Sequence, residues 1–514
     1  MLGSAKPEGR QSPLATKKIL ASLERYDQDL AAIITKDSNG SSTGRIASVD
    51  RQDLQRIRLL GTGRFSNVYL VTGSLSPFPE DPKTINNKQM YAYKAIDPNR
   101  ACNTEALVSA ANDLATEALF LSQLEHDNII QLRGVCSKPF SNAFIDDAVF
   151  FNTVTDLNGS FLQHQQHTDR NNELEGYFLV MDVLAETLSQ RLNRWREHKR
   201  NHEITTEVSS SGAGADGGRR RSWFGRFTCR TTATDTPIID LQEVERMYER
   251  VEYVGLGIAK GMEYLASKGI VLRDLKPGNV GFDEDDCDTT SKVKLFDFGM
   301  ARQVEQCDPG EICGSPRYMA PESMCGDGYT LKVDVYSFGI LLFELCSLIV
   351  PFSDLFCNRN NNNNGNSTTN KKKSLSIGSR HLRPLSKASS PLWKKIVNGT
   401  TNRCHRREKS YSPNCNNSTT NESSKFNTSH TSTSNTAATA NNSDHRTRMT
   451  EEFYRQVVDL EIRPTDNIDF LSAVPCPRLR SLIVECWQSD PTKRPSFQEI
   501  VPRLQDILFC YKQQ

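Results

Sequence analysis

Val271-Leu272-Arg273-Asp274-Leu275-Lys276-Pro277-Gly278-Asn279-Val280 places a carboxylate, an ammonium and a carboxamide within six residues. The apolar run Val293-Lys294-Leu295-Phe296 follows and ends in Asp297-Phe298-Gly299, which adds a second carboxylate. An Asp can take the proton of an attacking hydroxyl. An Asn and a second Asp offer the hard oxygens that Mg²⁺ prefers, and a Lys offers positive charge to a phosphate. These are the parts that phosphoryl transfer requires. Taken singly, each is an ordinary loop residue: a capping Asp, a surface Lys, a turn Asn.

In order and spacing the two stretches resemble the catalytic and metal-binding loops of eukaryotic protein kinases. The resemblance implies Asp274 as catalytic base and Lys276 as the cation that neutralises the transferring group. It implies Asn279 and Asp297 as Mg²⁺ ligands, with ATP as the phosphoryl donor. It also implies an α+β, two-lobed protein-kinase-like fold: a small antiparallel β-sheet lobe with one key helix, and a larger, mainly helical lobe.

Upstream, Gly61-Thr62-Gly63-Arg64-Phe65-Ser66-Asn67-Val68 lies between the apolar stretches Ile57–Leu60 and Val68–Val71. A Gly-x-Gly turn between two strands lets backbone N–H groups lie close over phosphates. Ser66 stands where the family usually has its third glycine. In Met90-Tyr91-Ala92-Tyr93-Lys94-Ala95-Ile96, strand alternation puts Ala92 and Lys94 on one face. The resemblance makes Lys94 the ligand of the α- and β-phosphates and requires a Glu partner on the next helix. Thr104 to Leu124 is rich in helix formers and offers Glu105 and Glu117. Glu117 is selected by its distance from His126-Asp127-Asn128-Ile129-Ile130. Leu121, one turn on, is expected to share an apolar column with Phe298 and Leu272. Tyr177–Leu184 reads as a buried strand leading to a hinge. There Met181 guards the back of the adenine pocket, and the backbone of Asp182 and Leu184 meets the adenine edge. Thr62, Arg64, Phe65, Ser66, Val68 and Ala92 complete the expected nucleotide contacts.

Leu241 to Lys268 carries Val244, Met247, Val251, Val254, Ile258, Met262 and Leu265 at helical spacing, a core stripe ending at Gly269. The segment Asp297 to Glu322 ends in Gly314-Ser315-Pro316-Arg317-Tyr318-Met319-Ala320-Pro321-Glu322, and has no Ser, Thr or Tyr between Gly299 and Gly314. Kinases with an Arg before the catalytic Asp usually pair it with a phosphorylated residue there. Here Glu311, helped by Glu305 or Asp308, is expected to supply that charge to Arg273 permanently, and Ser315 to order Asp274 and Lys276. Asp334, at the start of Lys332–Gly339, is expected to accept backbone hydrogen bonds from the catalytic loop. Cys486-Trp487 through Arg494-Pro495-Ser496-Phe497 resembles the closing motif of the tyrosine-kinase-like group. Arg494 is expected to pair with Glu322. Two departures stand out. Leu272 replaces the usual His, and Gly281 replaces a larger apolar residue under the adenine pocket, which predicts looser nucleotide binding.

The chain has 514 residues, a formal net charge of +1 and 37% hydrophobic residues, with a mean hydropathy of −0.54. A charge near zero gives no general pull toward nucleic acid or membrane. No apolar run reaches transmembrane length, and Met1–Gln11 lacks a signal-peptide core. The 14 Cys form no CxxC pair and read as reduced thiols. Residues 1–53 read as an N-terminal extension with an amphipathic helix over Lys17–Lys36, either packing on its own domain or docking a partner. Residues 54–511 read as one kinase domain interrupted by inserts at 72–89, 137–175 and 199–236. A low-complexity Asn/Ser/Thr-rich insert at 358–448 lacks the apolar content to fold alone. The cytoplasm is the expected compartment, with the nucleus open, and regulatory partners are expected through the inserts.

The expected function is a protein serine/threonine kinase in signalling, since Lys276-Pro277 after Asp274-Leu275 resembles Ser/Thr rather than Tyr kinases. Gly278 supplies no acid for an Arg-directed substrate. Two alternatives stay open: a pseudokinase scaffold that binds nucleotide without turnover, motivated by Leu272 and Gly281, and a small-molecule kinase on the same fold.

Overall fold

The computed structural model describes residues 24–29, 46–73, 75, 89–97, 100, 104–139, 177–210, 240–283, 292–356, 452–466 and 468–513. Two layers of secondary structure meet along a cleft. The smaller lobe is a six-stranded sheet in the order β1-β5-β6-β4-β3-β2. It comprises β1 (Ala47–Val49), β2 (Leu54–Thr62), β3 (Ser66–Gly73), β4 (Gln89–Ile96), β5 (Leu132–Cys136) and β6 (Phe178–Met181). Strand β1 belongs to the expected extension yet pairs in parallel with β5, Ala47 opposite Gly134; the other pairings are antiparallel. It buries Ala47 and Val49 while Ser48 faces out, an alternation three residues long and too short to read from sequence.

The helix α1, of which residues 24–29 are described, lies within the expected Lys17–Lys36 segment. Its Tyr26 packs on the main core, with the hydroxyl 3.5 Å from Thr116 Oγ1. Thr116 is on α2 (Thr104–Gln123), the long helix of this lobe, which buries Ala111, Leu114, Ala115, Ala118 and Leu121 on one side.

The larger lobe is mainly helical. α3 (Leu188–Ser210) runs past residue 199, where the polar insert was expected to begin. Arg, Glu, His and Lys over 194–203 are helix-compatible, and no Gly or Pro occurs before Gly212. α4 (Leu241–Arg250) continues through one π-helical turn, Val251–Gly255, into α5 (Leu256–Ser267). The predicted stripe is buried at Met247, Val251, Val254, Ile258, Met262 and Leu265. Gly269 follows at φ 70°, in the left-handed region that closes such helices. Short strands β7 (Glu186–Thr187), β8 (Ile270–Val271), β9 (Val280–Phe282), β10 (Val293–Leu295) and β11 (Arg302–Gln303) form the sheets β10-β9-β7 and β11-β8 beneath the cleft.

α6 (Pro321–Cys325) precedes α7 (Lys332–Ser347), which is buried from Val333 to Ser347 and is the hub of the lobe. A helix apolar all round, as this one nearly is, has to be enclosed by others. It is covered in part by α10 (Pro477–Cys486) and α11 (Phe497–Lys512), with Phe338 edge-on to Phe497. α8 (Ser353–Phe356) and α9 (Phe470–Ala473) are single turns. Arg494, fully buried, donates through Nη1 and Nη2 to Glu322 at 2.6 and 2.9 Å, the expected pair. Buried Glu344 of α7 accepts from Tyr318 Oη at 2.6 Å and from Arg196 of α3 at 2.5 Å, tying α3 to the segment before α6.

All eight described cysteines are free thiols. Among the described residues no helix is long and apolar enough to cross a membrane. The aromatic cluster at 140–151, the basic run at 219–221 and the insert at 358–448 lie outside the described residues.

Candidate active site

The cleft between the lobes encloses about 720 Å³. Every residue singled out from the sequence as catalytic, nucleotide-binding or metal-binding lines it. Gly61, Thr62, Gly63, Arg64, Phe65, Ser66 and Val68 contribute from the β2–β3 turn, which is closed by the Gly63 N–H on Ser66 O at 2.7 Å. Ala92, Lys94 and Met181 come from adjacent strands, with Ala92 opposite Met181 in the register. Asp182 and Leu184 follow in the hinge. The Asp182 N–H already donates to Gln131 O, so the backbone group it can offer a ligand is its carbonyl. Its carboxylate holds Arg133.

Lys94 donates to Glu117 Oε2 at 2.6 Å and to Asp297 Oδ1 at 2.8 Å. Helix α2 points Glu117 inward and keeps it almost wholly buried. Burial alone pulls an ammonium toward neutrality. The carboxylates of Asp297 and Glu117 override it and hold Lys94 above its ordinary pKa. In turn, the Lys94 charge holds Asp297 below the usual carboxylate range.

The catalytic-loop stretch is held in a strained shape. Arg273 and Asp297 both adopt φ 67°, uncommon for residues with a side chain. Asp334 fixes the first of these, its two oxygens accepting the N–H groups of Leu272 and Arg273 at 2.7 and 2.9 Å. Leu272, where the family has His, is fully buried in one cluster with Leu121 and Phe298. Asp274 Oδ2 accepts from Lys276 Nζ at 2.6 Å and from Asn279 Nδ2 at 3.0 Å, and Lys276 also donates to Ser315 Oγ at 2.9 Å. The other oxygen, Asp274 Oδ1, is buried with no hydrogen-bond partner among the described residues. A buried carboxylate oxygen left unpaired is costly, and this one belongs to a residue lining the cleft.

Arg273 donates through Nη1 to Glu311 Oε2 at 2.6 Å, the pairing expected from the missing phosphorylatable residue. Its Nε donates to Met300 O, and its guanidinium lies 5.1 Å from the Tyr329 ring centre. Tyr329 Oη donates to Glu311 O at 2.7 Å, so Glu311 is held by side chain and backbone.

Sequence reasoning missed Asp113, Glu186 and Phe296, which also line the cleft. Asp113 precedes Glu117 by one helical turn, the i, i+4 spacing that places both on one face, and that spacing was the available signal. Burial, with Asp297 nearby, pushes its pKa up to about 6 against the pull of Arg302.

A fold of this kind, with a lysine–glutamate pair above a strained Arg-Asp loop, is that of a protein kinase. Residues 241–503, just over half of the chain, match the protein kinase domain family, and the chain belongs to that family. It is similar to the serine/threonine/tyrosine-protein kinase HT1 of Arabidopsis thaliana, 42% identical over 108 residues, 21% of this chain and 26% of that one. It is also similar to the serine/threonine-protein kinase dst3 of Dictyostelium discoideum, 39% identical over 119 residues, 23% of this chain and 20% of the relative. The vascular endothelial growth factor receptor 3 of Mus musculus is 29% identical over 274 residues, 49% of this chain and 18% of the receptor. These matches therefore span about a quarter or less of the relatives' own lengths.

Proposed function

We propose that the chain is an ATP-dependent protein serine/threonine kinase. The observation that carries this reading is Asp274. One of its oxygens is committed to Lys276 and Asn279, and the other is buried and unpartnered among the described residues, in a side chain lining the cleft. That free oxygen is where a substrate hydroxyl is aligned and gives up its proton as the new P–O bond forms. The γ-phosphoryl group leaves ATP for the hydroxyl oxygen, and ADP is the product.

Lys276, shared between Asp274 and Ser315, is placed to balance negative charge on the group in transfer. Lys94, kept charged and immobile by two carboxylates, holds the phosphates of the donor. The N–H groups of the Gly61–Ser66 turn cover them. Asp297 and Asn279 supply hard oxygen donors. Asn279 donates to Asp274 through its nitrogen, which leaves its amide oxygen as an acceptor, and one Asp297 oxygen remains beyond that bound by Lys94. These donors suit Mg²⁺, whose charge would offset that of the phosphates. The apolar faces of Val68, Ala92, Met181 and Leu184 suit a base. Lys276-Pro277, together with the similarity to the serine/threonine-protein kinase dst3, supports Ser/Thr as the acceptor.

The test is transfer from labelled ATP with Mg²⁺ by bacterially made protein onto a generic Ser/Thr substrate, followed by phospho-amino-acid analysis. Phosphoserine or phosphothreonine that disappears in Asp274→Asn and in Asp297→Ala is expected. Tight Mg-ATP binding with no transfer onto any protein would replace the enzyme with a nucleotide-binding scaffold.

A further inference from the structure

Two stretches of the N-terminal extension are built into the small lobe. At the first, Ile46 packs on the main core, and β1 lies beside β5 with Ala47 and Val49 buried. The Ser137 N–H donates to Val49 O at 2.9 Å. The β1–β5 pairing depends on Gly134. A Cβ there would lie 2.5 Å from Val49 Cγ2 and 3.2 Å from Ala47 O, so a larger residue would push β1 away. The φ of Gly134 is not positive, so close approach and not backbone conformation is what requires the glycine.

The second stretch is α1. Tyr26 packs on the main core, with its hydroxyl 3.5 Å from Thr116 Oγ1. Its neighbour Asp27 joins burial and Cys136 in holding the Tyr177 hydroxyl, just before β6, above its ordinary pKa. So α1 meets both α2 and the start of β6. Thr116 is buried and directly precedes Glu117, the acid that holds Lys94 at 2.6 Å. The buried face of α2 is largely alanine, with Ala106, Ala110, Ala111, Ala115 and Ala118 all enclosed. A methyl group buries little apolar surface, so this face grips the lobe through a small area. The Tyr26 ring adds to that grip at the turn that carries Glu117.

We propose that the N-terminal extension is a strap on the small lobe, anchored at β1 and at Tyr26, and that Tyr26 is a positioning residue that keeps Glu117 toward Lys94 by packing at Thr116. The proposal rests on the reading of the cleft as a kinase site. When α2 shifts, Glu117 withdraws from Lys94 and transfer slows. Lifting α1 from α2 therefore lowers activity without touching any residue that lines the cleft.

The test uses the full chain and two readouts: initial-rate transfer from labelled ATP, and hydrogen exchange in α2 and α7 followed by mass spectrometry. Tyr26→Ala is expected to lower turnover roughly three- to tenfold, the shift in a two-state helix position that one lost packing contact gives. Exchange in α2 is expected to quicken by a similar factor, with α7 unchanged. Tyr26→Phe, which keeps the ring, is expected to restore most of both. Phe497→Leu, which thins the Phe338–Phe497 contact outside the cleft, is the control for general destabilisation. Below its unfolding midpoint it is expected to leave turnover and α2 exchange within twofold of wild type. If Tyr26→Ala does not fold, Tyr26→Leu is read instead. Exchange in α2 within twofold of wild type in the Tyr26 variant, or equal losses of turnover in the Tyr26 and Phe497 variants, would overturn the strap while leaving the kinase reading standing. A wild type that transfers no phosphate would overturn the kinase reading, and α2 exchange would still separate a strap from an extension that holds nothing.

Discussion

Glu311→Ala removes the one acidic side chain that reaches Arg273 among the described residues, and its effect can be worked from the structure. The Arg273 side chain is fully buried. Its Nη2 has no hydrogen-bond partner among the described residues, its Nε uses Met300 O, and its Nη1 uses Glu311. Without Glu311, two of the three guanidinium nitrogens of a buried cation face no acceptor. Breaking a fully buried pair costs about 3–5 kcal/mol. Glu311 is 42% exposed, however, so water can replace much of what it gives, and about 1–2 kcal/mol is the expected loss. Arg273 adjoins Asp274 in a strained loop, so part of this cost appears as misalignment of the Asp274 carboxylate, the proposed base. At 1.36 kcal/mol per tenfold, that part is expected to lower turnover roughly three- to tenfold, with the KM for ATP little changed. Glu311→Gln, which keeps an acceptor without the charge, is expected to fall between. The assay is initial-rate transfer from labelled ATP, with mass spectrometry to show that the segment from Gly299 to Gly314 carries no phosphate. Turnover within twofold of wild type in Glu311→Ala would refute the reasoning. So would Arg273→Ala and Glu311→Ala having independent, additive effects.

Arg494→Met should lower stability by about 3–5 kcal/mol, because it leaves the partly buried Glu322 without the bidentate guanidinium; a denaturant midpoint within error of wild type would count against this. Tyr26→Ala strips a ring that packs on the core beside Thr116 and should cost about 1–2 kcal/mol; an unchanged thermal midpoint would show that α1 contributes nothing to the fold. Asp113 titrates near 6 when folded and at its usual 3.8 when unfolded, so between those values the folded chain holds a proton that the unfolded chain has lost. The contribution is fully present below about pH 4 and is lost as pH rises through about 6, amounting to about 2–3 kcal/mol. Asp113→Asn should flatten that slope, measured as the urea midpoint against pH; an unchanged slope would assign it to other groups.

What could be read in advance was chemistry at fixed spacing along one local stretch. Asp274, Lys276 and Asn279 lie within six residues, so a single loop places them, and the Gly61–Val68 turn is equally local. Glu117 and Glu311 were readable for a different reason. Each answers a charge already identified, Lys94 in one case and Arg273 in the other, and a buried cation demands an acid. Arg494 and Glu322 followed by the same logic of charge pairing, whereas Asp334 was expected as the acceptor of the loop's backbone N–H groups. The parts that escaped are those whose meaning depends on an element distant in sequence. β1 is three residues long, and only its docking beside β5 makes it a strand. The π turn at Val251–Gly255 does not interrupt the periodicity of the helix around it.

Gly281 shows the limit most clearly. In sequence a glycine under a ligand pocket is an absence, and an absence predicts a hole and weaker binding. In the fold, the residue that fills the space, Phe296, lies 15 positions away, just before Asp297, and the hinge residue Leu184, nearly a hundred positions earlier, closes the remainder. Neither substitution is informative alone, because each is a volume change whose sign depends on the other. A close-packed interior makes such pairs interdependent. The same coupling explains why Leu272 does not by itself mark a dead enzyme. That side chain packs in the cluster with Leu121 and Phe298, and the backbone N–H groups of Leu272 and Arg273 are fixed by Asp334. The geometry of Asp274 therefore depends on the carboxylate beneath the loop and not on the identity of the side chain at 272.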